Sequence, residues 1–563
     1  MHADDSSRAR GPGRQALLGL GALIALGALL RILGLGQQSL WVDEAFSILY
    51  AKPDVPLRVE YLLDNLHGPL HAFVLHHWIQ IAGMSEAMLR VPSLIASLLT
   101  LPFFWLLARE VWNERIAWCG TLLLAVSPFH VWYAQEVRNY AFLMLFAVLA
   151  EWAFRRLLAR GPQGGRLAAY GLALLAGFFS NLSMLFLVLA QALRLLLLIR
   201  PVNRQLWLRI LGVWILVALC LTPWAIRFYQ RQVAPSQLLT TEAVPEAEKL
   251  RQETTDTILG VPYTFYAFAT GYSLGPSRRD LWTAGPVAAV RQYWPPIAIA
   301  ALVFGLLWIT GLVRRWRENP REALALIIWQ LVPLIVLLYI ANRNVKVINP
   351  RYVAVAFPAF VALIAAGVSR RRISQILFGA ALALSLFSVG RALTMPAYHK
   401  ENYRGAAQYL QTTMGPGDLY LSLAVDQPMR YVYLRDALRG DPPPPWEYLG
   451  KLVTWGSLVA IKGEGPGSYE DIVLRRWQPG HRLFVFLARE WVPDPQGALE
   501  ADLRRRGRVI AEKHWTGSRV LVLERLEDDV TRTGGRHADH QTPVTEDADS
   551  PGGADPVTEE GTP

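Results

Sequence analysis

Twelve apolar runs divide the first 391 residues of this chain. They lie near 16–35, 69–83, 91–109, 115–130, 138–156, 166–180, 182–199, 207–225, 295–313, 322–341, 351–369 and 373–391. Each reads as a helix, and several reach or approach the roughly 20 residues that cross a bilayer. After residue 392 the pattern changes. Strands are expected at 419–425, 457–462, 483–488, 508–512 and 519–524. Helices at 400–413, 427–437, 467–476 and 496–506 separate most of them, which predicts a small α/β unit. Gly415-Pro416-Gly417-Asp418 reads as a turn, and the proline run from Asp441 to Trp446 as a stiff loop. From about Glu527 the chain is acidic and rich in Pro, Gly and Thr, with Pro-Val-Thr-Glu at 543 and again at 556. That composition predicts disorder.

Arginine placement sets the orientation. The arginine-rich stretches are the N-terminus, 109–115, 155–166, 200–209, 314–321 and 370–372. Positive loops stay in the cytoplasm, so all six belong inside. That parity works only if one run between 36 and 90 does not cross. The run 69–83 is short and carries His71, His76 and His77. It reads as an amphipathic helix on the outer surface. The expected fold is therefore mainly α, with about eleven transmembrane helices and one surface helix. Residues 1–15 form a cytoplasmic N-terminus. Residues 16–391 form the membrane domain, with an outer loop at 36–90. Residues 392–526 form an extracytoplasmic α/β domain, and 527–563 a disordered tail. The first apolar run follows Arg8, Arg10 and Arg14, and no small-x-small cleavage site precedes Trp41. It reads as a retained anchor in the cytoplasmic membrane.

Composition agrees. The chain is 53% hydrophobic with a mean hydropathy of +0.24. Its net charge of +11 raises the question of nucleic acid. The arginines sit in short loops between apolar runs, which speaks for membrane orientation instead. Cys119 and Cys220 both lie inside apolar runs, so no disulfide framework or metal motif is available.

The chemistry collects on one face. The loops predicted to lie outside are 36–90, Ser127 to Tyr140, 226–294, Asn342 to Tyr352, and everything after about 392. A carboxylate pair beside a membrane, here Asp43-Glu44, is costly without water, a cation or a substrate. Asp43 is the candidate base for an acceptor hydroxyl, with Glu44 in support. Arg138, Arg351, Lys346 and Arg31 are candidate ligands for a donor phosphate, because guanidinium donates paired hydrogen bonds to it. His67, His71, Gln135, Glu136, Tyr140, Tyr272 and Tyr352 are candidate substrate contacts. Plainer readings stand beside these. The acid pair also suits a helix N-terminus. The arginines also suit headgroup anchoring, and His67 and His71 the interface. The aromatic, glycine-rich stretch 263–277 reads either as an interfacial flap or as a packed connector. No cofactor is implied, and a divalent cation at Glu44, His67 and His71 stays open.

Several of these residues occur in ordered motifs. Leu40-Trp41-Val42-Asp43-Glu44-Ala45 comes first, then His67-Gly68-Pro69-Leu70-His71 and Leu89-Arg90-Val91-Pro92-Ser93. Tyr133 to Tyr140 and Pro350-Arg351-Tyr352 follow. Together, over about residues 31–391, they resemble glycosyltransferase family 39. That group includes protein O-mannosyltransferases and lipid A aminoarabinose transferases. The resemblance implies a GT-C fold, a polyprenyl-phosphate sugar donor and an inverting single displacement outside the cytoplasm, with Asp43 as base. The acceptor would be a hydroxyl on a protein, glycan or lipid. The family commonly has His-Pro-Pro-Leu where this chain has His67-Gly68-Pro69-Leu70, and glycine should loosen that turn. Two rivals remain. A transporter or flippase would place binding groups at mid-membrane. A non-catalytic scaffold would use its outer domain to recruit partners.

Overall fold

The computed structural model describes residues 13–198, 204–230, 257–343 and 348–526. Short gaps fall at 52, 64, 66–67, 278–279, 282–284, 425, 455–456, 460–472 and 490–496. The expected acidic tail, most of the expected helix over 467–476 and most of 226–256 lie outside the described residues, as do His67 and Lys346.

Every apolar run is a helix. Among the described residues, seven helices are long and apolar enough to cross a membrane, or eight if one bent pair counts as a span. The chain is a multi-span membrane protein. The expected eleven spans are not reached by this measure. Helix Tyr140–Arg160 carries Glu151, Arg155 and Arg156, and helices Gly164–Ser180 and Met184–Leu198 have only 17 and 15 residues. Helix Pro69–Ala82, at 14 residues, is too short to cross, as its histidines and length suggested.

The bent pair corrects one expectation. Ser127 to Tyr140 is not all loop. Helix Glu114–Val126 breaks at Ser127-Pro128 and continues, turned by 56°, as helix Pro128–Ala134. Proline cannot supply the missing N–H, so the carbonyls before it lose their partners. Arg31 fills that gap from the end of helix Arg14–Ile32. One terminal nitrogen donates to Gly27 O and Ala125 O, both at 2.8 Å. The other donates to Leu124 O at 3.3 Å and meets His130 Nδ1 at 2.7 Å. Its Nε donates to Ser97 Oγ at 2.8 Å. All five donors are spent inside the fold, so Arg31 is a kink cap and not a free phosphate ligand.

The stretch after Thr257 is a packed connector. Helix Thr257–Thr270 buries Ala267 and Phe268. The following turn is pinned by Ser273 to Ser388 O at 2.7 Å, Arg391 to Leu274 O at 3.1 Å and Tyr398 to Gly275 O at 2.8 Å.

The C-terminal part holds a six-stranded mixed sheet. Its strands are β1 Leu419–Ala424, β2 Glu447–Thr454, β3 Ser457–Val459, β4 Arg482–Ala488, β5 Gly507–Trp515 and β6 Ser518–Arg525. Their order is β3-β2-β1-β4-β6-β5, with β1 parallel to both β2 and β4. Strand β2 was not expected. Its register slips between Tyr448 and Gly450, which breaks the alternation that marks a strand.

Candidate active site

The first loop is the hub. At the start of its helix Val42–Ala51, the Glu44 side chain reaches back to cap the chain: Trp41 N donates to Glu44 Oε2 at 3.3 Å, while Ala45 N makes the first helical bond to Trp41 O at 3.0 Å. Glu44 is wholly buried and heavily bonded. It pairs with Arg90 at 3.0 Å and Lys400 at 3.2 Å, and accepts from Val137 N at 2.9 Å. Burial pushes its carboxyl up, but Arg90 and Lys400 more than reverse this and hold it at about 2. Arg90 also donates to the carbonyls of Leu35 at 2.6 Å and Gln38 at 2.9 Å. Glu44 is thus the tie that joins four segments.

Asp43, its neighbour, faces elsewhere. Its Oδ2 is bonded by Arg351, and both side chains stay about one-fifth exposed, at 21% and 19%. Arg138 lies below, donating to Asp43 O at 3.0 Å and Ser47 Oγ at 3.2 Å. Burial raises the Asp43 carboxyl, but Arg138, Arg351 and Arg489 together hold it well below the usual carboxylate range.

Local structure sets these arginines. Arg138 sits in the turn after helix Pro128–Ala134, fixed by Ser93 Oγ donating to its carbonyl at 3.0 Å. Arg351 opens the 3-10 segment Pro350–Ala356, where Asn349 Oδ1 accepts from its N–H at 3.2 Å. Its guanidinium lies 5.8 Å from the Tyr140 ring centre and 5.1 Å from that of Tyr352, and donates to the Tyr352 hydroxyl at 3.1 Å. The Nε atoms of Arg138 and Arg351 are buried without a hydrogen-bond partner.

The remaining candidates divide. Tyr140 and Tyr352 stand at the arginines. Tyr272 reaches the edge of the site through its hydroxyl, 2.7 Å from that of Tyr133. Gln135 does not face a substrate: its amide donates to Arg31 O at 3.0 Å and Leu33 O at 2.7 Å, closing the end of the first helix. Glu136 is buried, 3.9 Å from Lys400. His71 lines a polar cavity of about 10 Å³ with Ser47, Tyr50, Asn65 and Arg138, room for about one water. Burial and Arg138 lower its ring to about 3, so it is neutral. Among the described residues no group of three or more His, Cys, Asp or Glu side chains is placed to hold a metal.

Gly68 corrects the expected loosening. Its φ is +94°, and a Cβ there would meet Phe179 O and, at 2.6 Å, Ser180 O. Glycine here allows a close backbone approach, and proline could not adopt this φ.

Three functional neighbours were missed in the sequence. Arg90 was noted only as part of a motif. Lys400 and Arg489 come from beyond the membrane part. Arg489 pairs with Glu401 at 2.5 Å, lies 5.5 Å from the Trp41 ring centre, and has φ of +57°, which is uncommon outside glycine. That positive φ is invisible in the sequence.

Comparison with known proteins bears on this geometry. Residues 66–227 match the family described as dolichyl-phosphate-mannose-protein mannosyltransferase. No curated protein sequence matches the chain. Among solved structures, ArnT from Cupriavidus metallidurans in the apo state is similar over 90% of this chain and 98% of its own, with 14% identity and a TM-score of 0.55. The same protein bound to undecaprenyl phosphate is similar over 91% and 98%, with 15% identity and a TM-score of 0.50. The likeness seen in the motifs therefore holds at the level of fold: the chain has an ArnT-like GT-C fold.

Proposed function

We propose that this chain, built on the GT-C fold, moves a sugar from a polyprenyl-phosphate donor to a hydroxyl on the outer face of the cytoplasmic membrane. One observation carries the reading: the partly exposed Asp43 carboxylate pairs with Arg351, while Arg138 donates to the Asp43 main-chain carbonyl beside it. That neighbourhood supports reading Asp43 as a proton acceptor beside two cations suited to a phosphate leaving group. The match to a family named for a lipid-phosphate sugar donor supports the same donor class. The arginine-rich loops support an N-terminus inside and the sheet outside.

In this mechanism Asp43 takes the proton of the acceptor hydroxyl as that oxygen attacks the anomeric carbon. The phosphate leaves on the opposite side, its charge held by Arg351 and Arg138. Tyr140 and Tyr352 keep the Arg351 guanidinium in place. Glu44, Arg90 and Lys400 hold the loop that presents Asp43. No step is assigned to Arg31 or Gln135, whose polar groups are used within the fold. The acceptor is a protein, glycan or lipid hydroxyl.

Asp43→Asn tests this. It should lower transfer about 10²–10⁴-fold in purified protein while leaving the fold intact, because a positioned base contributes on that order. Full activity of the variant would remove the reading. A transporter would draw on charges at mid-membrane. Buried Glu151 is closed off by Arg155 at 2.7 Å, Arg194 at 2.5 Å and Gln191 at 3.1 Å, so it offers no open binding group.

A further inference from the structure

Three arginines, Arg138, Arg351 and Arg489, act on the Asp43 carboxylate. Only two carboxylates, Asp43 and Glu401, pair with them directly among the described residues. The cluster carries one positive charge more than it neutralises. Arg138 and Arg351 each also keep a buried Nε without a hydrogen-bond partner. Such a site favours a second anion.

The two acid–arginine pairs of the first loop differ in kind. Glu44 with Arg90 is sealed, both side chains at 1% exposure or less. Asp43 with Arg351 is reachable. Arg351 is held by contacts that do not involve Asp43, namely the Tyr140 and Tyr352 rings and the Tyr352 hydroxyl. These contacts can hold its guanidinium independently of the carboxylate.

We infer that Asp43 and the lipid-linked phosphate exchange on Arg351, so that the ion pair seen here is the resting state that donor binding opens and product release restores. This rests on the transferase reading above. Before reaction the donor is a phosphodiester with one negative charge. The acceptor oxygen forms its bond to the anomeric carbon, and the carbon–oxygen bond to phosphate breaks with its electron pair going to phosphate. The hydroxyl proton goes to Asp43. Asp43 is then neutral, and the product phosphate carries a second negative charge. Arg351 passes wholly to the phosphate at that moment. When Asp43 gives its proton to water, its carboxylate returns to Arg351 and displaces the product lipid.

The exchange predicts that removing the carboxylate tightens the binding of product. The probe is undecaprenyl phosphate, titrated into full-length protein in detergent micelles. Four proteins are compared: wild type, D43N, R351Q and the double variant. D43N should bind at least about tenfold more tightly than wild type, because a charge-assisted competitor is gone. R351Q should bind more weakly, and adding D43N to it should restore nothing. D43S serves as the second variant if D43N does not fold. Equal or weaker binding by the Asp43 variants overturns the exchange. So does an equal gain in the R351Q background, which would assign the effect to long-range charge alone. D43N that loses transfer without binding more tightly overturns the exchange and leaves the base intact.

Discussion

Asp43 and Glu44 are adjacent, yet their environments separate them. The step of about 100° between neighbours on a helix sends Glu44 into a sealed network and leaves Asp43 partly exposed. Replacing Glu44 by Gln leaves Arg90 and Lys400 buried with too little counter-charge. Breaking such a pair costs about 3–5 kcal/mol, so E44Q should lower the melting temperature measurably. The pH dependence has a definite sign. Glu44 titrates at about 2 in the folded chain against an ordinary value of 4.5. As pH falls, the unfolded chain takes up the proton first. The stability Glu44 contributes is complete above about pH 4.5 and is lost as pH falls toward 2. Thermal melts of E44Q across that window should show a shallower slope than wild type. An unchanged slope would assign the acid loss to other carboxyls.

At the scale of elements, the break at Ser127-Pro128 decides the site. It turns the chain so that the segment 135–139 lies beside the first loop, bringing Val137 N to Glu44 and Arg138 to Asp43. Arg31 stabilises that break by satisfying Leu124 O and Ala125 O. Arg31→Leu should cost about 1–3 kcal/mol for each carbonyl left unpaired. Undecaprenyl phosphate affinity of the folded fraction should be unchanged, since Arg31 is spent within the fold. A large loss of affinity at constant stability would return Arg31 to the list of phosphate ligands. The proline was plain in the sequence, but which residue would cap the break was not. An arginine near the end of a span suits a headgroup as well as a carbonyl. Strand β2 was missed for a similar reason, because its slipped register hides the period of two.

In the whole molecule, the first loop is clamped between two bodies of secondary structure. Trp41 and Val42 pack with Tyr403, Phe486, Ala488 and Val520 of the C-terminal part. Ser39 Oγ accepts from Tyr403 N at 3.1 Å and Arg404 N at 3.2 Å. Lys400 reaches Glu44, and Arg489 reaches the surroundings of Asp43. The sheet is therefore a wall of the site. Arg489→Ala should lower transfer about tenfold to a hundredfold, because a small displacement of a reacting group costs that much. Steady-state kinetics would show it, and an unchanged rate would reduce the sheet to a bystander.

The sequence by itself determined the helices and a first set of candidate residues. Hydrophobic periodicity and length are local properties, so all twelve runs could be read directly. The motif order placed Asp43, Arg138, Arg351, Tyr140 and Tyr352 in one candidate set, and the structure brings these five together. Only the tertiary structure decided what each charge does. Arg31, Gln135 and Glu44 carry polar groups as capable of binding a substrate as those of the proposed ligands. They are spent because carbonyls or counter-ions far away in the chain reach them first. Lys400 and Arg489 enter from hundreds of residues away. Pairing across such distances depends on packing, and no local pattern records it.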